Sequence, residues 1–184
     1  MKAFAPLLLS GVLLVSSGFS TGAFAATQME ELAATLHNSD FSAHVERLMR
    51  NDRNAQALEL ADIGIKRNPR NAQLVFLKAV ILESMQRTEE AAEILRSLIA
   101  RYPEIPEPYN NLAVIEAGLG NLERSVDLLQ KALVINPDFG LARKNLGDVY
   151  LALAVENYKA AAPALPKNRV LAQRLRSLER IVGE

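Results

Sequence analysis

Apolar residues recur every three to four positions along most of the chain, which is the spacing of an amphipathic helix. Residues 106–139 show two such stripes, and Gly120-Asn121 separates them. The stripes contain, in chain order, Leu112, Ile115, Leu119, Val126, Leu129 and Leu133. Glycine followed by a small polar residue is typical of a turn. The pattern therefore predicts two short antiparallel helices within this segment.

Three prolines mark a regular period along the chain. Pro69, Pro103 and Pro137 are evenly spaced, and each follows a helical pattern. Proline disfavours the helical conformation in the residue before it and cannot continue a helix, so each proline marks a helix stop. A pair of short helices cannot bury its apolar stripes alone, whereas stacked neighbouring pairs can. The period predicts a solenoid of helix pairs.

The third unit, 106–139, resembles the tetratricopeptide repeat family. The matching residues are Tyr109, Leu112, Ala113, Gly120, Ala132, Leu133 and Pro137. Units 38–71 and 72–105 carry a similar pattern, with small residues where two helices cross. A small side chain there allows two backbones to approach closely. The resemblance implies an all-α fold, a right-handed α-solenoid of antiparallel helix pairs.

Both ends of the array depart from this pattern. In a degenerate fourth unit, 140–168, Pro166 follows Pro137 sooner than the even spacing requires, and the turn is missing around Leu153 to Glu156. We expect either a distorted pair or one bent helix there. Residues 169–184 predict a capping helix with the stripe Leu171, Leu175, Leu178 and Val182. At the other end, 26–37 predicts a helical lead-in containing Leu32 and Leu36.

Residues 1–25 have the layout of a cleavable secretory signal. Lys2 precedes a compact apolar stretch, and Ala23-Phe24-Ala25 forms an A-x-A processing site before Ala26. The alternative is an uncleaved membrane anchor, but the stretch is interrupted and shorter than the roughly 20 apolar residues that span a bilayer. The signal predicts export into a bacterial periplasm, with cleavage near Ala25-Ala26.

Composition excludes several functional classes. Lysine plus arginine and aspartate plus glutamate each total 21, so no basic surplus exists to bind nucleic acid. Cysteine is absent, which excludes thiolate chemistry and a lipid anchor on an N-terminal cysteine. The two histidines, His37 and His44, form no metal-ligand motif, and no catalytic motif such as G-x-S-x-G is present. We predict a protein that is not an enzyme, with no metal and no cofactor.

The resemblance implies a concave groove lined by the first helix of each unit. Ser42 and Glu46 occupy slots where family members that grip a C-terminal carboxylate carry basic and amide residues. We therefore favour an extended or helical segment on an apolar floor, with amides pairing to its backbone. Phe76 could instead pack under the N-terminal helix. The predicted partner-groove residues are Phe76, Leu77, Val80, Asn110, Asn111, Val114, Lys144, Asn145 and Asp148.

These observations predict an interaction scaffold or adaptor whose groove binds a segment of an envelope protein. The alternative is a self-associating structural subunit of an envelope assembly, such as pilus, polysaccharide or outer-membrane machinery. In that case the groove or the capping helix would pack against a second copy, forming a homo-oligomer. Both hypotheses involve a protein or peptide partner in the cell envelope.

Overall fold

The computed structural model describes the backbone of residues 21–182 and the side chains of residues 28–181. All regular structure in these residues is helical, so the predicted all-α fold is confirmed. The α-helices are α1 (Thr21–Thr35), α2 (Phe41–Arg50), α3 (Asn54–Arg67), α4 (Ala72–Ser84), α5 (Thr88–Arg101), α6 (Pro106–Gly118), α7 (Leu122–Ile135), α8 (Gly140–Ala161) and α9 (Arg169–Val182).

Helices α2 to α7 form three consecutive hairpins that stack into the solenoid. Each helix packs against the next one in the chain, and α2 also packs against α4, as α6 does against α8. Helices α4 and α6 approach each other less closely. The wider gap between these two first helices is where the pockets described below lie.

The turn inside each hairpin uses the same backbone conformation. Asp52, Gln86 and Gly120 have φ values of 56°, 60° and 82°, and they are the residues with positive φ among those described. They recur at the same interval as the three prolines, so the left-handed conformation belongs to one position of the repeat. Glycine adopts it without steric cost, whereas Asp52 and Gln86 hold it at some cost in strain.

The fourth unit contains one long helix in place of a hairpin. Ala154, which is one repeat period after Gly120, lies inside the 22-residue helix α8. A 3-10 turn at Ala162–Ala164, which includes Pro163, then leads to α9. Of the two expected outcomes, a distorted pair or one bent helix, the structure shows one helix over Gly140–Ala161. The deleted turn explains this result.

Helix α1 is anchored on the first hairpin. Its Met29 and Ala33 are buried against α3. The Arg67 Nη1 atom donates a hydrogen bond to the Ala33 carbonyl oxygen at 2.8 Å, and its guanidinium lies 5.3 Å from the Phe41 ring centre. The predicted signal, residues 1–25, lies mostly outside the described residues. No helix in the described part of the chain has both the length and the apolarity of a membrane span.

Small residues and long aliphatic side chains alternate in the core. Ala57, Ala113 and Ala132 are completely buried at helix crossings. One predicted stripe residue differs: Leu119 is 63% exposed, because it caps the end of α6 where the chain turns away. The stripe of that helix therefore ends at Ile115.

Candidate functional site: the concave groove

Five of the predicted groove residues line one pocket between α4, α6 and α8. These are Val80, Asn110, Asn111, Val114 and Asn145, which come from three different units. The pocket has a volume of about 290 Å³, and Glu83 and Leu141 stand among its other lining residues. The structure thus brings together apolar and amide side chains that are far apart in the sequence.

A second pocket of about 160 Å³ continues the groove toward α7. It shares Val114 and Asn145 with the first pocket and adds Asp148. Val114 is 50% exposed, which is unusual for a branched aliphatic side chain on a helix with several buried residues. This valine stands where the two pockets meet, so it is the central apolar contact that the groove offers.

A third pocket, of about 200 Å³, lies between the beginnings of α4 and α6. Phe76 lines it together with Gln73, Ile105 and Glu107. Phe76 is half-buried and packs against the core cluster of α4, α5 and α6, not beneath α1. Phe76 was expected either in the groove or under the N-terminal helix, and the structure places it in the groove.

Leu77 does not lie on the groove surface, which corrects its predicted position. Only 6% of this side chain is exposed, and it belongs to the core cluster that contains Phe41 and Leu74. Neighbouring residues of a helix point about 100° apart, so Leu77 cannot share the face of Phe76. Its burial stabilises the contact between the first two units and leaves nothing for a partner to touch.

The three asparagines form a hydrogen-bonded chain across two units. Asn145 Nδ2 donates to Asn110 Oδ1 at 2.9 Å, and Asn110 Nδ2 donates to Asn111 Oδ1 at 3.1 Å. Asn110 is only 2% exposed, so the expectation that its own amide pairs with a peptide is wrong. Instead, Asn110 orients its neighbours. Within the described residues, the Asn111 amide N–H groups and Asn145 Oδ1 have no partner.

Lys144 and Asp148 form an ion pair on the exposed face of α8. Lys144 Nζ lies 2.6 Å from Asp148 Oδ2, and more than half of each side chain is exposed. Asp148 lines the second pocket, whereas Lys144 lines none of the three pockets. The structure therefore places Asp148 in the groove and Lys144 beside it.

A buried charge cluster escaped the reasoning from sequence. The Glu116 side chain is 2% exposed, and its Oε2 atom accepts a hydrogen bond from Asn121 Nδ2 at 2.9 Å. Its Oε1 atom lies 3.3 Å from Arg124 Nε and 3.6 Å from Arg96 Nη2. The sequence does contain a sign of this burial, because Glu116 stands one helical turn after Leu112 and therefore lies on the buried stripe of α6. This cluster joins α5, α6 and α7 and lines none of the groove pockets.

The carboxyl groups whose pKa is shifted lie outside the groove. A hydrogen bond from Arg87 lowers the pKa of the Glu90 carboxyl, and the two groups are 2.7 Å apart in the first turn of α5. Burial raises the pKa of Glu59, with a smaller contribution from Glu30. Among the described residues, no three His, Asp or Glu side chains gather in a geometry suited to a metal ion.

Comparison with known proteins places this architecture among repeat proteins. The family model described as tetratricopeptide repeat matches residues 42–106 and 82–139, which together cover more than half of the chain. Protein FlbA of Caulobacter vibrioides is 26% identical over 102 residues, which are 52% of this chain. The match spans only 17% of the length of FlbA.

Two solved structures show the same fold at low sequence identity. One is the first such domain of Spaghetti (RPAP3) bound to the HSP90 peptide SRMEEVD, with a TM-score of 0.59 and 16% identity. That match covers 64% of this chain and 93% of the RPAP3 domain. The other is MamA from Desulfovibrio magneticus RS-1, with a TM-score of 0.59 and 19% identity, covering 88% of this chain and 87% of MamA.

Proposed function

Because the chain belongs to the tetratricopeptide repeat family, we propose that it is a non-enzymatic protein–protein interaction scaffold of the bacterial periplasm. Its groove binds a segment of an envelope protein. The observation that supports this proposal is the exposed apolar floor between α4, α6 and α8. Val114 and Leu141 expose 50% and 54% of their surface at its centre. Exposed apolar side chains that cluster in a concave surface are typical of binding sites.

The amide network supplies the polar part of the site. Asn110 holds the side chains of Asn111 and Asn145 by hydrogen bonds. Asn111 therefore presents its amide N–H donors toward the groove, and Asn145 presents its acceptor oxygen. These are the groups that an extended backbone needs, because each peptide unit offers one donor and one acceptor. The RPAP3 domain, which has a similar fold, binds a peptide. Both points support a peptide segment as the occupant here.

The periplasmic location rests on the segment 1–25. Its charged start, apolar stretch and A-x-A site are the parts of a secretory signal. The described side chains of α1 that are buried, Met29 and Ala33, lie beyond the proposed cleavage site. Removal of the signal therefore leaves these side chains in place.

A self-associating structural subunit of an envelope assembly is the second candidate. Helix α9 favours it, because its Val170 and Ile181 are 59% and 54% exposed. These two residues lie three helical turns apart on one face of α9. A second copy that packed on this face would cover both.

The groove hypothesis is tested by replacing Val114 with Asp. This side chain is half-exposed, so a carboxylate there places a charge on the apolar floor and leaves the buried core intact. Val134→Asp is the matched control, because Val134 is 83% exposed on α7 and lines no pocket of the groove. We expect Val114→Asp to remove the partners that the wild type captures from envelope extract, and Val134→Asp to keep them.

Equal capture by both variants would contradict the groove hypothesis. A photo-reactive residue at position 114 then identifies the partner in cells by crosslinking. Asn110 is unsuitable for this purpose, because it is buried and holds the amide network together. A crosslink from position 170 of α9 to a second copy would instead support the alternative.

A further inference from the structure

We propose that the groove selects a segment carrying cationic side chains among apolar ones. This inference rests on the proposed function and specifies its partner. Three carboxylates line the three pockets, one in each: Glu83, Glu107 and Asp148. No lysine or arginine lines any of them. Each apolar pocket thus has a negative charge at its edge.

The negative charge is a local property of the groove. The whole chain has a formal net charge of zero, and its basic residues concentrate elsewhere. Six of the 21 lie between positions 159 and 180, where Glu179 is the single acidic residue. The groove therefore differs in charge from the C-terminal end, and a general excess of acid does not explain its carboxylates.

Two of these carboxylates are available to a partner. Glu83 and Glu107 are exposed and form no ion pair with another described residue. Asp148 differs, because Lys144 lies 2.6 Å from it. Carboxylates on a largely apolar concave surface attract cations and repel acidic segments, which provides specificity even when each contact is weak.

The spacing of these groups indicates how such a segment would lie. Glu107 stands in the pocket at the beginnings of α4 and α6, and Glu83 stands in the pocket farther along α4. Between them, α4 offers Phe76 and Val80 one helical turn apart. A segment running along the gap between α4 and α6 meets a carboxylate at each end and apolar side chains in the middle.

A displayed library of short random peptides tests the inference without knowledge of the partner. Selection is run on the wild type and on Val114→Asn, which removes the exposed apolar side chain without adding charge, and the peptides that depend on the groove are those enriched only by the wild type. We expect lysine and arginine to be enriched among these peptides, together with apolar residues. Acidic residues should be depleted.

Removing the two free carboxylates gives the decisive comparison. Glu83→Gln/Glu107→Gln keeps the shape of both side chains, and Glu89→Gln/Glu93→Gln changes the net charge equally at exposed positions on α5. We expect the first variant to weaken the selected peptides by about 2- to 30-fold, the range for two exposed charge pairs. The second should bind them like the wild type.

The possible failures separate the two proposals. Selection that does not differ between wild type and Val114→Asn would refute groove binding itself. Groove-dependent peptides without a cationic bias, or equal binding by both glutamine variants, would refute this inference and leave the scaffold function standing. A wild-type dimer in light scattering that dissociates in Glu83→Gln/Glu107→Gln would support the charge preference and would identify the cationic segment as part of a second copy.

Discussion

Gly64 lies where α3 packs closely against α2 and α4. It is buried on α3, and a Cβ atom built on it would lie 2.6 Å from Phe41 Cδ1 and 2.5 Å from Leu74 Cδ2. Carbon atoms in contact normally stay about 3.5–4.0 Å apart. Both neighbours are about 1% exposed, so neither side chain has room to move away. Gly64→Ala therefore forces the core apart.

The magnitude follows from two opposing effects. Alanine stabilises a helix interior by about 0.5–1 kcal/mol relative to glycine. Overpacking a filled core costs about 1–3 kcal/mol. Gly147→Ala isolates the first effect, because Gly147 lies inside α8 with no atom within 4 Å of its added Cβ. Relative to Gly147→Ala, Gly64→Ala should lower the free energy of unfolding by about 1–3 kcal/mol.

Equilibrium urea unfolding, followed by far-ultraviolet circular dichroism, measures this difference. The slope of free energy against urea should match among wild type and both variants, which shows that the same surface is exposed in each case. We expect Gly147→Ala to be at least as stable as the wild type. Equal free energies of unfolding for Gly64→Ala and Gly147→Ala would refute the close approach of α3 to Phe41 and Leu74.

Two further predictions concern pH and export. The pKa of Glu59 is raised above its ordinary 4.5 by burial and by Glu30, so the folded chain binds this proton more tightly than the unfolded chain. The resulting stabilisation is present below pH 4.5 and disappears as the pH rises through the folded-state pKa. As the pH rises from 4.5 through the folded-state pKa, Glu59→Gln should therefore lose less unfolding free energy than the wild type. Equal losses in the two proteins, measured by urea unfolding at each pH, would contradict this prediction. After expression in a bacterial host, intact-mass spectrometry should find an N-terminus at Ala26, whereas a chain that retains Met1 would contradict a cleavable signal.

The repeat architecture could be predicted because it depends on local rules. Pro69, Pro103 and Pro137 end helices wherever they occur, and the small residues at the crossings are required by the close approach of two backbones. The even interval between the prolines then predicts one helical hairpin for each repeat period. The missing turn in the fourth unit was also visible in the sequence. Only the three-dimensional structure shows that α8 continues without a break through it.

The details of the groove depend on contacts between units, which a single sequence does not reveal. Asn110 was expected to face a partner, yet Asn145 pairs with it from the next unit and accounts for its burial. Leu77 was assigned by its slot in the repeat, although the packing of α4 against the first unit turns that slot inward. Position within a repeat predicts which helix a residue occupies more reliably than which groups it contacts.

The buried carboxylate of Glu116 has a consequence for how the stack comes apart. In a one-dimensional array, the free energy of each interface decides whether adjacent hairpins melt separately or together. Arg96 belongs to the second hairpin and Arg124 to the third, and they lie 3.6 Å and 3.3 Å from this one carboxylate. Melting the second hairpin removes Arg96 from the Glu116 carboxylate, which stays with Arg124 on the third hairpin. We therefore expect the second and third hairpins to open together, and the ends of the array to fray first.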